Sequence, residues 1–184
     1  MLYLLGGAAR TGKTTIAQTF LSKTGTPFFS LDFLMMGFAD GMPEFGLDPE
    51  ADELLVAEQL WPVVGAMLRV MVEDEVDYLV EGVQLHPKHA WELCEKFAGR
   101  VRVCFVGFAK ADTLAKLEEI RRFGGGADDW MRHYPDEQVI QEIERLKDLS
   151  VRVENACQQY GIKYVEASGD LSDTVGDVMR YFTE

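Results

Sequence analysis

The chain has 184 residues, 47% of them hydrophobic and 27% charged, which suits one folded domain with a core of its own and excludes a disordered polymer. Its net charge of −13 argues against nucleic acid and anionic lipid as partners, although it leaves open a nucleotide held by local cations and backbone amides. Cys94, Cys104 and Cys157 are odd in number, far apart and without metal spacing, so buried thiols in a reducing compartment are expected.

In chain order, residues 2–5 are a short apolar run ending in Gly6 and Gly7, the pattern of a buried strand. The N-terminus has no basic lead and reads as strand, not signal peptide, so a cytoplasmic location is expected. A helix is predicted over 14–22 and a second strand over 28–31. A short helix over 33–38 then gives way to a loop over 39–49, rich in Gly, Pro, Asp and Met. Residues 51–73 have helical spacing with a kink expected at Pro62. The apolar stretch at 63–72 is interrupted by Arg69, and no run is read as long enough to span a bilayer.

The remainder reads as strand 78–80, helix 87–97, strand 101–108, helix 111–123, a run of glycines at 124–126, helix 136–160, strand 162–167 and helix 171–182. Strands alternating with helices predict an α/β fold, a parallel sheet covered on both faces. With no repeat or linker, residues 1–184 read as one domain.

Gly7-Ala8-Ala9-Arg10-Thr11-Gly12-Lys13-Thr14 matches G-x-x-x-x-G-K-[ST] in full, between the first strand and the first helix. Glycines let the backbone curl until successive N–H groups face phosphate oxygens, and the following helix presents its positive end. Lys13 is expected to reach the β- and γ-phosphates and the Thr14 hydroxyl to bind Mg²⁺, with Thr15 completing the cradle. ATP and Mg²⁺ are the expected cofactors.

A guanine-reading N-K-x-D is absent, since the one asparagine, Asn155, precedes Ala156. The chain also leaves little room for the helical domain of large ATP-driven machines. Gly6-Gly7 with Gly12-Lys13-Thr14, followed by Pro27-Phe28-Phe29-Ser30-Leu31-Asp32, resembles the start of chloramphenicol phosphotransferase. Val80-Glu81-Gly82-Val83-Gln84-Leu85-His86-Pro87 is similar to the E-G-V-H-x-x-P segment of bacterial 2-phosphoglycerate kinase, with Gln84 in place of that histidine. The layout resembles the nucleoside-monophosphate-kinase-like group, to which shikimate and gluconate kinases also belong. That resemblance implies the three-layer P-loop NTPase fold, a five-stranded parallel sheet in the order 2-3-1-4-5, and a small lid at roughly 121–134.

Further candidates follow from position. Asp32, after the second strand, can accept the proton of an acceptor hydroxyl or hold Mg²⁺ through water; the plainer role for an aspartate there is a helix N-cap. Glu81 ends the third strand and either orients the metal's waters or is an ordinary polar strand end. His86 either touches the acceptor or lies on the surface. Arg121, Arg122 and Arg132 bracket the glycines, where lid arginines would neutralise charge on a moving phosphoryl group; Arg122 is the favoured catalytic one and Arg121 a nucleotide contact. Helix-surface charge paired with Glu118 and Glu119 is the simpler reading. Leu54, Leu55, Leu60 and Trp61 read as core or as acceptor-pocket wall.

Between Lys23 and Arg69 there is no Lys or Arg, in the stretch that forms much of the acceptor site in this group. An acceptor phosphate buried there would lack a cation, at high cost. The expected activity is therefore transfer of the ATP γ-phosphoryl group to a hydroxyl of a small, neutral or cationic acceptor. The alternatives are a kinase of an anionic acceptor, such as 2-phosphoglycerate or a nucleotide, and a P-loop NTPase or regulatory nucleotide binder without an acceptor. Oligomeric state is left open, with neither nucleic acid nor membrane as a partner.

Overall fold

The computed structural model describes residues 1–123 and 131–184. The chain runs β1 (Leu2–Gly7), α1 (Lys13–Thr24), β2 (Phe28–Ser30), α2 (Leu31–Gly41), α3 (Glu53–Glu73), β3 (Tyr78–Glu81), α4 (Pro87–Lys96), β4 (Val101–Gly107), α5 (Thr113–Phe123), α6 (Asp136–Tyr160), β5 (Lys163–Glu166) and α7 (Leu171–Thr183). All strand pairings are parallel, in one five-stranded sheet of order β2-β3-β1-β4-β5. This is the expected α/β fold and the expected strand order.

Side chains alternate across each strand, so the sheet builds two cores. Leu2 and Leu4 of β1, with Val101, Val103 and Phe105 of β4, pack on one face against buried residues of α3, α4 and α6. Leu5, Cys104 and Val106 pack on the other against Ile16 and Phe20 of α1 and Val178 and Phe182 of α7. A strand buried on both sides has no polar alternation, which is why residues 2–5 read as continuous apolar sequence.

Several boundaries differ from the sequence reading. β1 runs on to Gly7 because Gly6 and Gly7 still pair with Phe105 and Val106 of β4. α2 runs eleven residues, into the segment expected to be loop. It starts at Leu31, where the Ser30 hydroxyl accepts from the Asp32 N–H, and a short 3₁₀ turn, Pro43–Phe45, folds Phe45 back onto Phe38 at 4.8 Å between ring centroids. α3, read over 51–73, begins at Glu53 and spans 21 residues with Pro62 inside it.

α3 also corrects the statement that no run could span a bilayer. By length and composition it could, since as a continuous helix it carries Arg69 within a mean hydropathy of 1.4. Its stripe of Val56, Leu60, Val64, Leu68 and Val72 instead belongs to the core beneath the sheet. Arg145 of α6 bonds Glu53 at 2.7 and 2.8 Å and Glu142, and Arg152 bonds the α3 N-cap Asp52 at 2.7 Å, so α6 fastens the start of α3.

The cysteines are free thiols; Cys104 and Cys157 are buried as expected, whereas Cys94 is half-buried. Burial pushes Cys104 and Cys157 up to about 12 and Cys94 up to about 11, so none is a nucleophile at neutral pH.

Candidate active site

The site is assembled by register. Glu81 at the end of β3 lies opposite Leu5 of β1 on one side and Ser30 of β2 on the other. β2 and β3 therefore end level and β1 runs two residues further, and each feeds a loop or helix start at this edge: the phosphate loop after β1, α2 after β2, and residues 82–86 after β3. β1 is also where the connections change direction, to β2 and β3 on one side and to β4 and β5 on the other. Open α/β sheets bind ligands at this place. A cavity of about 470 Å³ lies there, lined by residues 9–15 of the loop together with Asp32, Glu81 and Val83.

The loop conformation needs its glycines. Gly7 has φ 119°, and a Cβ on it would lie 1.9 Å from the Val106 carbonyl oxygen. That carbonyl cannot retreat without losing the bond it accepts from the Ala8 N–H at 3.2 Å. Gly7→Ala is expected to destabilise the protein by at least about 2 kcal/mol, measured by denaturant unfolding. Gly12, at φ 81°, is the N-cap of α1 and provides no side-chain oxygen, so the first-turn amides of α1 are left for another acceptor. Arg10 takes a positive φ of 61° at the crest of the loop.

Lys13 is buried at 7% exposure and donates to the Ala8 carbonyl at 2.6 Å, and Thr11 Oγ1 donates to the same oxygen at 2.9 Å. Burial pulls the Lys13 ammonium below its ordinary pKa, while Glu81 and then Asp32 act in the opposite sense by charge attraction. The Glu81 carboxyl, only 2% exposed, is raised by burial and held down by Lys13. Thr14 Oγ1 donates to Glu81 Oε1 at 3.1 Å. Glu81 is thereby hydrogen-bonded to the phosphate loop at Thr14.

Asp32 does not cap α2; Ser30 does, and Asp32 stands exposed in the first turn, lining the cavity. Its Oδ1 accepts from Gln84 Nε2 at 2.7 Å. His86 is the N-cap of α4, its Nδ1 accepting from the Lys88 N–H at 3.1 Å, so its place is set by helix capping. Trp61 is half-buried and stacks on His89 at 4.4 Å, and His89 faces Glu58 at 3.3 Å.

Arg121 gives its guanidinium to Asp136 Oδ1 and to the Met131 and Tyr134 carbonyls, tying α5 to the start of α6. Arg122 lies over the Phe123 ring at 5.1 Å, and Phe123 lines the cavity. Arg132 is exposed in the turn before α6. The lid expected at roughly 121–134 and its glycines at 124–126 fall largely outside the described residues.

Sequence reasoning missed part of the cavity wall: Lys116, Glu119, Ile120 and Phe123 of α5 and Leu171 and Thr174 of α7 also line it, and Leu171 lies beside Gly12 of the phosphate loop. Lys116 is buried at 4% exposure, bonded to Glu119 at 2.8 Å and set over the Phe108 ring at 4.9 Å. A lysine and a glutamate three apart on a helix look like a solvated pair, and only the packing of α5 against α6 and Phe108 reveals otherwise.

No protein-family model matches the chain, and no curated protein matches it in sequence. The fold is shared with solved structures. Shikimate kinase from Bacteroides thetaiotaomicron superposes with a TM-score of 0.62 at 15% identity, covering 100% of this chain and 99% of that one. A gluconokinase from Sinorhizobium meliloti 1021 gives 0.58 at 14% identity, covering 97% and 89%. A sugar kinase from Janibacter sp. HTCC2649 gives 0.56 at 13%, covering 98% and 93%. At identities this low the likeness shows a common fold.

Proposed function

We propose that the chain is an ATP-dependent small-molecule kinase that transfers the γ-phosphoryl group to a hydroxyl of a neutral or cationic acceptor. One observation carries the reading: the neighbouring carboxyl ends of β1, β3 and β2 bring the phosphate loop, Glu81 and Asp32 onto one cavity. The kinase names of the structural neighbours support it.

The residues present fit ATP and Mg²⁺. An uncapped helix start, a buried lysine and a glycine backbone with no room for a Cβ suit a polyphosphate. Thr14 Oγ1 and Glu81 are hard oxygen donors 3.1 Å apart, a set that suits a divalent cation keeping several waters, and Asp32 lines the same cavity. Bound Mg²⁺ would neutralise charge on the phosphates.

In the transfer, the loop amides and Lys13 hold the phosphates in line with the acceptor. Asp32 takes the hydroxyl proton as the acceptor oxygen bonds to the γ-phosphorus. The bridging P–O bond breaks, and ADP leaves with its electron pair. Arg122 is proposed to stabilise the charge that moves, and Arg121 and Arg10 to contact the nucleotide. Ile120, Phe123 and Leu171 give the cavity an apolar part of its wall that suits a base. A cytoplasmic location goes with this reading.

The acceptor class follows from charge. Residues 24–68 supply no cation, whereas Asp32, Asp40, Glu44 and Asp48 lie in or beside α2. The expected result is ATP-dependent phosphorylation within a panel of neutral and amine-bearing alcohols, followed by ADP release. Turnover confined to phosphorylated acceptors would overturn the acceptor class, and ATP binding with no acceptor-stimulated ADP release would favour an NTPase or regulatory binder.

A further inference from the structure

α2 carries Asp32, yet Leu31 is its one buried residue. Phe33 is 74% exposed and Met36 42%. Leu34, Met35 and Phe38 are half-buried against the core and place the helix, whereas the exposed Asp32 carboxylate needs a contact of its own to be held. Gln84, 1% exposed, reaches it from the segment after β3. Its Nε2 donates to Asp32 Oδ1 at 2.7 Å and lies 3.2 Å from the Met35 sulfur, one helical turn further on. The amide thus fastens the first turn of α2 at two points.

Gln84 Oε1, by contrast, is buried with no hydrogen-bond partner among the described residues. A buried amide oxygen is normally satisfied, and turning the amide over would set that oxygen against a carboxylate that can only accept. The observed orientation serves Asp32 at the expense of Oε1. Gly82 makes the reach possible, because a Cβ there would lie 2.4 Å from Gln84 Oε1 and 2.8 Å from Leu31 Cβ.

We propose that Gln84 is the positioning residue for Asp32: it holds Oδ1 and the first turn of α2, and leaves Oδ2 to take the acceptor's proton. Among the described residues Oδ2 makes no hydrogen bond of its own. The inference rests on the role proposed for Asp32, and its test separates the two.

Gln84→Met keeps the length and removes both N–H donors, whereas Gln84→His restores one. In the otherwise wild-type enzyme, Gln84→Met is expected to lower kcat by about 10- to 100-fold with the Kd for ATP unchanged, and Gln84→His to recover part of that loss. In an Asp32→Asn background, the same Gln84→Met change is expected to cost less than about threefold, because the group it positions has already lost its function. Hydrogen exchange of the whole chain supplies a readout independent of turnover: the amides in the first turns of α2 are expected to exchange faster in Gln84→Met.

An equal loss in both backgrounds, or unchanged exchange in α2, would overturn the positioning role. Full activity of Asp32→Asn alone would instead overturn the role of Asp32 in transfer. Faster exchange in α2 would then still establish Gln84 as its anchor.

Discussion

Lys13→Met is expected to lower phosphoryl transfer by about 10³-fold while the protein stays folded. The ammonium sits where the loop closes, bonded to the Ala8 carbonyl and flanked by Glu81 and Asp32, and it lines the cavity together with the loop amides. Methionine fills the same space but supplies neither charge nor donor. Transferring phosphoryl oxygens would then lose the buried ammonium, and the loop amides that remain orient but do not offset a full charge. Single-turnover assays with ATP, alongside circular dichroism to verify folding, measure the effect. A loss smaller than tenfold would show that this loop does not hold the transferring group.

Asp32→Asn separates a kinase from a simple nucleotide binder. The asparagine carbonyl can still accept from Gln84 Nε2, so the geometry of α2 is kept and only the basic carboxylate is lost. General bases contribute about 10²- to 10⁴-fold. Phosphoryl transfer passes through a loose transition state in which the attacking hydroxyl has given up little of its proton, which places the expected loss in kcat at the low end, about 10²-fold. Nucleotide affinity should change little, since the phosphate loop is untouched. Unchanged acceptor phosphorylation would remove Asp32 from the mechanism, and unchanged ATP binding with lost transfer would support the proposed role. Measuring both quantities on the same preparation, by calorimetry and by ADP release, distinguishes them.

The kind of evidence each residue offered explains what could be read early. The phosphate loop is local: the glycines, Lys13 and Thr14 work because of their spacing along one turn, and spacing is written in the sequence. The parallel sheet was legible for a similar reason, since strands buried on both faces make apolar runs whatever their partners. Asp32 and Glu81 were found through their place at strand ends, but neither role could be chosen from sequence. Asp32 is released from capping because Ser30 does that work, and Glu81 joins the phosphate loop because β3 lies beside β1 in register with Leu5.

What only the tertiary structure decided are contacts between segments distant in the chain. Gln84 meets Asp32 across 52 positions, and Lys116 lines the same cavity as Leu171 and Thr174 of α7. A glutamine in a loop and a lysine beside a glutamate on a helix carry no periodic or spacing signal. Their burial comes from the packing of helices on the sheet, and burial is what turns an ordinary polar side chain into one with a single available partner. The sequence by itself determined the fold class and the anion cradle, because both follow from local geometry. The tertiary structure determined which polar groups face that cradle, because desolvation and orientation exist only once the strands are in register.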